Sequence, residues 1–438
     1  MSFFSNSYFS KKNILNFLFS FLPLSFILGN LAINLNILFL IIFSFFFYGK
    51  KILILNYSFL DKIILFFFSL IIFICVVSNI NTYFFFDNPV GDGFYNITVI
   101  KKSLLFLRFL ILYYVIIYLI KENLINFKYF FTSCLFFTVF VSIDLFYQSL
   151  TGKDIFGLVS KEINRKLSGP FGDEYIAGGY LQRFSIFAFF AIFFLFNLKN
   201  KIKLFSLHSF LFIIFLSGII LTGNRMPLLL YLLSVSLIFL LDNRFKKYFL
   251  LFFLLFFLIF SSIYKLNPVV KDNYDNFHNR VSMMYGMVIN KNFNDNNVPQ
   301  HFREFGTFYN TWLMNKYLGG GLKSFRNNCH LRPKVDRKSK FVCNMHPHNY
   351  YLEILTDLGL VGFVTLFVIF FATIYKFFIL KYSQILGQKK NYLISPFVIV
   401  FIAEIFPLKS TGSFFTTGNA TFIFLTLFVL IALMKKKS

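Results

Sequence analysis

Apolar runs long enough to cross a bilayer recur along almost the whole chain, and no other feature narrows the possible folds so far. A helix needs about 20 predominantly apolar residues to span the hydrocarbon, and runs of that kind lie at about 13–28, 31–48, 62–78, 103–120, 129–147, 180–197, 204–221, 227–241, 248–264, 358–380, 393–406 and 414–434. Backbone N–H and C=O groups inside hydrocarbon must pair within the protein, so runs of this length read as helices. The expectation is an all-α polytopic membrane protein with about 12 transmembrane helices. Residues 1–264 would carry the first nine, with an outer loop at 148–179; residues 265–347 would form a large outer loop containing short helices, and residues 348–438 the last three spans. A single soluble core is excluded: 14% of residues are charged and 57% hydrophobic, 72 of them Phe, where soluble domains average about 25% charged.

The formal charge of +25 would elsewhere point to nucleic acid. Here the lysines cluster at the ends of apolar runs, which reads as membrane topology, so no nucleic-acid partner is expected. An N-terminus in the cytoplasm puts Lys50, Lys51, Lys121, Lys128, Lys199, Lys201, Lys203, Arg244, Lys246, Lys247, Lys381, Lys389, Lys390 and Lys435 to Lys437 all inside, with both termini cytoplasmic. Lys101 and Lys102 fall outside on this count. No cleavable signal peptide is expected, because the first apolar run after Lys11 and Lys12 lacks a small-residue cleavage site.

Polar residues with chemical potential crowd the outer segments. Around Ser168-Gly169-Pro170-Phe171-Gly172-Asp173-Glu174, glycines and a proline favour a turn-rich loop folding back toward the membrane. Arg183 falls just inside the next span, where a charge must find a partner, a wet cavity or the surface. Arg225, in Thr222-Gly223-Asn224-Arg225-Met226-Pro227, sits on a short stiff turn; that suits either a fixed phosphate clamp or an ordinary interfacial Arg. The large loop, with His348 just after it, holds five of the six histidines, and the loop has thirteen Lys and Arg against five acids. Its His301 to Met314 segment reads as an amphipathic helix lying on the membrane, followed by a flexible breaker at Gly319-Gly320-Gly321. Cys329 and Cys343 are a candidate disulfide on an oxidising face. Those cysteines with His330, His346 and His348 include zinc-ligand types, but their spacing matches no standard site, so no metal is expected.

The loop closes with His346-Pro347-His348-Asn349-Tyr350-Tyr351-Leu352-Glu353. Asn349 is a good N-cap, Pro347 is tolerated beside a helix start, and Glu353 falls where the helix dipole favours a carboxylate. The same dipole disfavours a charged imidazole nearby, so His346 and His348 read either as a proton acceptor beside an anion-binding helix end or as two solvated loop histidines beside a helix cap. Glu404, Pro407 and the hydroxyl-rich run Ser410 to Thr417 form the last outer turn; those hydroxyls either bind sugar or satisfy helix ends.

The Thr-Gly-Asn-Arg turn, the loop with Arg303 and Trp312 ahead of Leu318-Gly319-Gly320-Gly321, and the closing stretch from His346 through Gly359 and Gly362 together resemble the O-antigen ligase and O-antigen polymerase (Wzy-type) superfamily, over about residues 165–417. The resemblance implies a metal-independent, inverting GT-C-like glycosyltransferase without cofactor, in the bacterial inner membrane with its site on the periplasmic face. It would move a glycan from undecaprenyl pyrophosphate to an acceptor hydroxyl on lipid A core or a growing glycan. On that resemblance His348 is the base, and Arg225 and Arg303 hold the pyrophosphate; His346, Asn349, Arg183 and Glu174 are further candidates for substrate binding. A lipid-linked oligosaccharide transporter or flippase is the alternative, though transporter sites lie near the membrane midplane. The sequence leaves ligase and polymerase unseparated, since they differ only in acceptor.

Overall fold

The computed structural model describes residues 10–54, 57–85, 94–160, 166–196, 201–243, 245–290, 300–329, 343, 348–382, 393–409 and 412–436. His330, His346 and Pro347, with Arg165, Ser410 and Thr411, lie outside the described residues, as do Lys199, Arg244, Lys389, Lys390 and Lys437. The described residues form an all-α polytopic membrane protein, apart from one isolated bridge between Lys153 and Val159. The helices are α1 (Lys11–Ser20), α2 (Leu22–Leu28), α3 (Asn30–Tyr48), α4 (Phe59–Phe85), α5 (Phe94–Phe106), α6 (Arg108–Lys121), α7 (Phe127–Thr151), α8 (Ala177–Leu195), α9 (Lys201–Leu221), α10 (Arg225–Leu241), α11 (Phe249–Leu266), α12 (Pro268–Asn290), α13 (Gln300–Trp312), α14 (Phe325–Asn328), α15 (Tyr350–Tyr382), α16 (Ile394–Glu404) and α17 (Thr417–Lys435).

Among the described residues nine helical segments are long and apolar enough to cross a membrane, while Arg225–Leu241 and Ile394–Glu404 are apolar but shorter. Two runs expected as single helices are divided. The first breaks at Phe21 ahead of Pro23, which lacks the N–H that would continue the ladder, and another breaks at Leu107 between α5 and α6.

The centre of the bundle is α17. It is apolar all round from Phe422 to Met434, apart from Thr426, whose hydroxyl bonds back to the Phe422 carbonyl at 2.7 Å; a helix of that kind is stable only when surrounded. Phe424 packs on Phe68, Phe106 and Phe109 at centroid distances of 5.3–5.7 Å. A second aromatic cluster, Phe130, Phe187 and Phe397, joins α7, α8 and α16. By contrast α11 buries little and exposes Leu250, Leu254 and Leu258, as a lipid-facing helix would.

The two ends of the bundle differ. At the lysine-rich end, the Asn16 amide donates to the Leu124 carbonyl at 3.0 Å and accepts from Asn126 N–H at 2.6 Å, tying α1 to the α6–α7 turn. Buried Asp61 there accepts from Lys435 Nζ, the Tyr113 hydroxyl and the Ser58 N–H at 2.6 Å. At the other end, residues 152–160 and 166–176 fold back onto α7: Ile155 N–H reaches Asp144 Oδ1 at 2.6 Å and Gly169 N–H reaches Gln148 Oε1 at 2.9 Å. The helices α12, α13 and α14 cover this same end.

Candidate functional site

The loop end is assembled from the starts of α8, α10, α15 and α17. At Gly178 a Cβ would stand 2.7 Å from Thr222 Oγ1 and 3.3 Å from Asn224 Cβ, so the absence of a side chain lets α8 touch the Thr-Gly-Asn-Arg turn. Asn224 Nδ2 fixes the contact by donating to the Tyr175 carbonyl at 3.0 Å.

Arg225 is the first residue of α10, with Pro227 in the first turn where a missing N–H costs nothing. Its Nη2 donates to the Asn273 carbonyl at 2.7 Å, and its guanidinium lies 4.9 Å from the Phe277 ring centroid. Helix α12 therefore sets the plane of the guanidinium. Burial raises the neighbouring Tyr274 phenol to about 12 although Arg225 pulls it down, so that phenol stays neutral and uncharged beside the arginine.

The expected amphipathic helix is α13. Glu304, Thr307, Phe308 and Thr311 are buried against α15 while Arg303 is exposed, a spacing of three and four that puts them on opposite faces. Phe308 stacks on Phe325, and this pair with Cys329 forms a small core that also touches Cys343 and Leu352. Cys329 and Cys343 are joined in a disulfide, with Cα atoms 5.8 Å apart. Both thiols are thereby removed from any metal set, and the chain five residues ahead of His348 is anchored to the start of α15.

Gly319-Gly320-Gly321 is not the flexible turn the sequence implied. Gly320 N–H bonds to the Thr356 carbonyl at 3.0 Å and Gly321 N–H to the Asp357 carbonyl at 2.8 Å. The partner of this clamp is a break in α15 at Gly359, whose φ of 63° is open to glycine and strained for other residues. There a Cβ would lie 2.3 Å from the Tyr317 carbonyl oxygen and 2.5 Å from Gly319 N. Leu360 N–H and Val361 N–H then pair with the carbonyls of Lys316 and Tyr317 at 2.8 and 3.1 Å. Both glycine motifs thus serve one backbone crossing. Buried Asp357 completes it by accepting from Lys323 N–H at 2.6 Å. Lys102 lies within electrostatic reach of Lys323 and Arg326 and, more weakly, of Asp357.

His348 is half-buried with φ 53°, an unusual conformation for a residue with a side chain. Asn349 caps α15 as expected, its Oδ1 accepting from Tyr351 N–H at 3.0 Å and Leu352 N–H at 3.1 Å, while its Nδ2 donates to the Pro407 carbonyl at 3.1 Å. Next to it the Tyr350 hydroxyl donates to Glu404 Oε1 at 3.0 Å. Glu404 is the hub of this end: Arg183 donates to its two oxygens at 3.1 and 2.6 Å, and Lys409 Nζ meets Oε1 as well. Arg183 also bonds Asn419 Oδ1 at 2.6 Å and lies 5.0 Å from the Phe422 ring centroid. Burial, aided by the Arg183 charge, pulls the Lys409 ammonium down to about 7 against the opposing pull of Glu404.

Glu353 does not serve its own helix end. It accepts from the Ser413 hydroxyl and Phe414 N–H, both at 2.5 Å, tying α15 to the last turn. Two of the turn's hydroxyls are thus engaged in structure, that of Ser413 and that of Thr416, whose Oγ1 bonds the Ser413 carbonyl at 2.9 Å. Glu174 is exposed. Through Asn224–Tyr175, Arg183–Glu404 and Tyr350–Glu404, the elements bearing Arg225 and His348 meet at one end of the bundle. Glu404, Lys409 and Asp357 were missed as site residues; ionisable residues in or beside apolar runs were the signal that marks them.

Residues 210–367 match the O-antigen ligase family, and no curated protein matches the chain. The matched segment contains the Arg225 turn, α12 to α14, the disulfide and the first half of α15. This bears out the resemblance to the O-antigen ligase and polymerase superfamily, and supports activity of that general type on lipid-linked glycans.

Proposed function

We propose that this chain, with its O-antigen ligase segment, is an inverting, metal-independent GT-C-like glycosyltransferase of the inner membrane, working at the periplasmic face with both termini cytoplasmic. Its donor is a glycan on undecaprenyl pyrophosphate, and its acceptor a sugar hydroxyl on lipid A core or on a growing glycan. The observation that carries the reading is the family match across Arg225, Arg303 and His348, together with the hydrogen bonds that bring the elements of Arg225 and His348 to one end.

Chemically, the acceptor oxygen attacks the anomeric carbon as the bond to pyrophosphate breaks. The electron pair leaves on the pyrophosphate, and the hydroxyl proton passes to His348. A sugar hydroxyl is a poor nucleophile near neutral pH, and one positioned base contributes roughly 10²- to 10⁴-fold. Pyrophosphate departs readily once its developing charge is met by cations, the role given to Arg225 and Arg303. The Asn273 and Phe277 contacts hold the Arg225 fork in one plane, as charge stabilisation without reorganisation requires.

The test uses the purified full chain in lipid. Given an undecaprenyl-pyrophosphate-linked repeat unit, a polymerase lengthens the glycan; a ligase acts only after lipid A core is added. Movement of the lipid-linked glycan across the bilayer with no new glycosidic bond would overturn the proposal in favour of a transporter.

A further inference from the structure

A cavity of about 440 Å³ opens at the lysine-rich end, far from the residues described above, between the end of α8, the start of α9 and the turn leading into α11. Its size falls within the roughly 300–1,000 Å³ typical of sites for small amphiphilic ligands. The walls are aromatic. Phe205 stacks on Tyr248 at 4.2 Å, and Phe193 meets Phe245 edge to face at 5.9 Å. Buried His208 forms part of the wall, its Nδ1 2.7 Å from the Leu204 carbonyl and its Nε2 3.1 Å from that of Phe189, so the ring is fixed in place. The rim is cationic: Lys246 and Lys247 are exposed beside the opening, with Lys247 Nζ 4.7 Å from the Tyr248 ring centroid.

We propose that this cavity is a binding site for one anionic phospholipid, its phosphate on Lys246 and Lys247 and the start of an acyl chain among Phe193, Phe205 and Phe245. Three observations choose this occupant. The cavity lies where apolar helices end in lysines, the depth of lipid headgroups, and basic pockets between helix ends take acidic headgroups by charge. Its wall runs on through Tyr248 into α11, whose exposed Phe249, Phe253 and Phe257 make a continuous apolar path for the chain. A site that is oily inside and basic only at the mouth matches an amphiphile better than a soluble anion, which would leave the aromatic interior unfilled. The proposal is independent of the transfer reaction.

Native mass spectrometry of the full chain, titrated with phosphatidylglycerol or phosphatidylcholine of the same chains, tests it. The wild type is expected to retain one phosphatidylglycerol about tenfold more strongly than phosphatidylcholine. Lys246→Glu with Lys247→Glu should bring the two lipids level by removing charge, and Leu204→Trp should remove the bound lipid by filling the cavity. Equal retention of both lipids by the wild type would overturn the proposal. So would undiminished phosphatidylglycerol binding in both variants, or displacement of the lipid by millimolar inorganic phosphate.

Discussion

Asp61 and Glu404 are each a fully buried carboxylate shared between a cation and a tyrosine, at opposite ends of the same bundle. Asp61 holds Lys435 and Tyr113; Glu404 holds Arg183, Lys409 and Tyr350. The difference lies in the balance of charge. Asp61 faces one ammonium whose side chain is 19% exposed, whereas Glu404 faces two cations that are 13% and 4% exposed. One end is a fastening near water. The other is a buried surplus of positive charge held together by a single acid, which also binds Tyr350, two residues along the chain from His348.

Glu404→Gln should therefore have the largest effect, since it leaves two enclosed cations without a counter-charge; breaking a buried pair in this way costs about 3–5 kcal/mol. Asp61→Asn leaves Lys435 able to reach water and should cost about 1–2 kcal/mol. Thermal unfolding in detergent measures both, and glycan transfer should fail in the first variant and survive in the second. Equal losses would remove the distinction between the ends.

Next is the disulfide, confined to the loop end. Closing a loop with a sequence separation of 14 is worth about 3 kcal/mol, so Cys329→Ser should lower the unfolding temperature and slow transfer by loosening the approach to His348. Gly359→Ala should cost about 1–3 kcal/mol, as strained backbone positions do, because the new Cβ would meet the Tyr317 carbonyl. A neutral Gly359→Ala would mean that the crossing with Gly319 is not a fixed part of the site.

A further effect is one of pH. Lys409 has a folded value of about 7 against 10.5 in the open chain, so between those limits the unfolded state binds a proton that the folded state lacks. Stability then rises with pH across that window. The wild type should gain about 2 kcal/mol on Lys409→Met between pH 7 and pH 9.

This contrast also separates what the sequence reveals from what it hides. The apolar runs, the α13 amphipathic spacing, the Asn349 cap and the Arg183 charge inside a span were legible, because each is a local pattern governed by helical period or bilayer thickness. The partner of Arg183 was not, since Glu404 lies 221 residues away and nothing local pairs them. Likewise the triple glycine reads locally as a loose turn; only the opposing Gly359, brought alongside by the fold, makes it a close crossing. Glu353 looked like a helix-dipole residue and instead bonds the last turn, because folding brings Ser413 within its reach.

The most direct test of the central claim is glycan transfer by purified Arg225→Ala and His348→Ala, each checked for a wild-type unfolding temperature. The account predicts a fall of roughly 10²- to 10⁴-fold in kcat for His348→Ala and a comparable or larger loss in kcat/KM for Arg225→Ala. Transfer at the wild-type rate by a folded His348→Ala protein would contradict it.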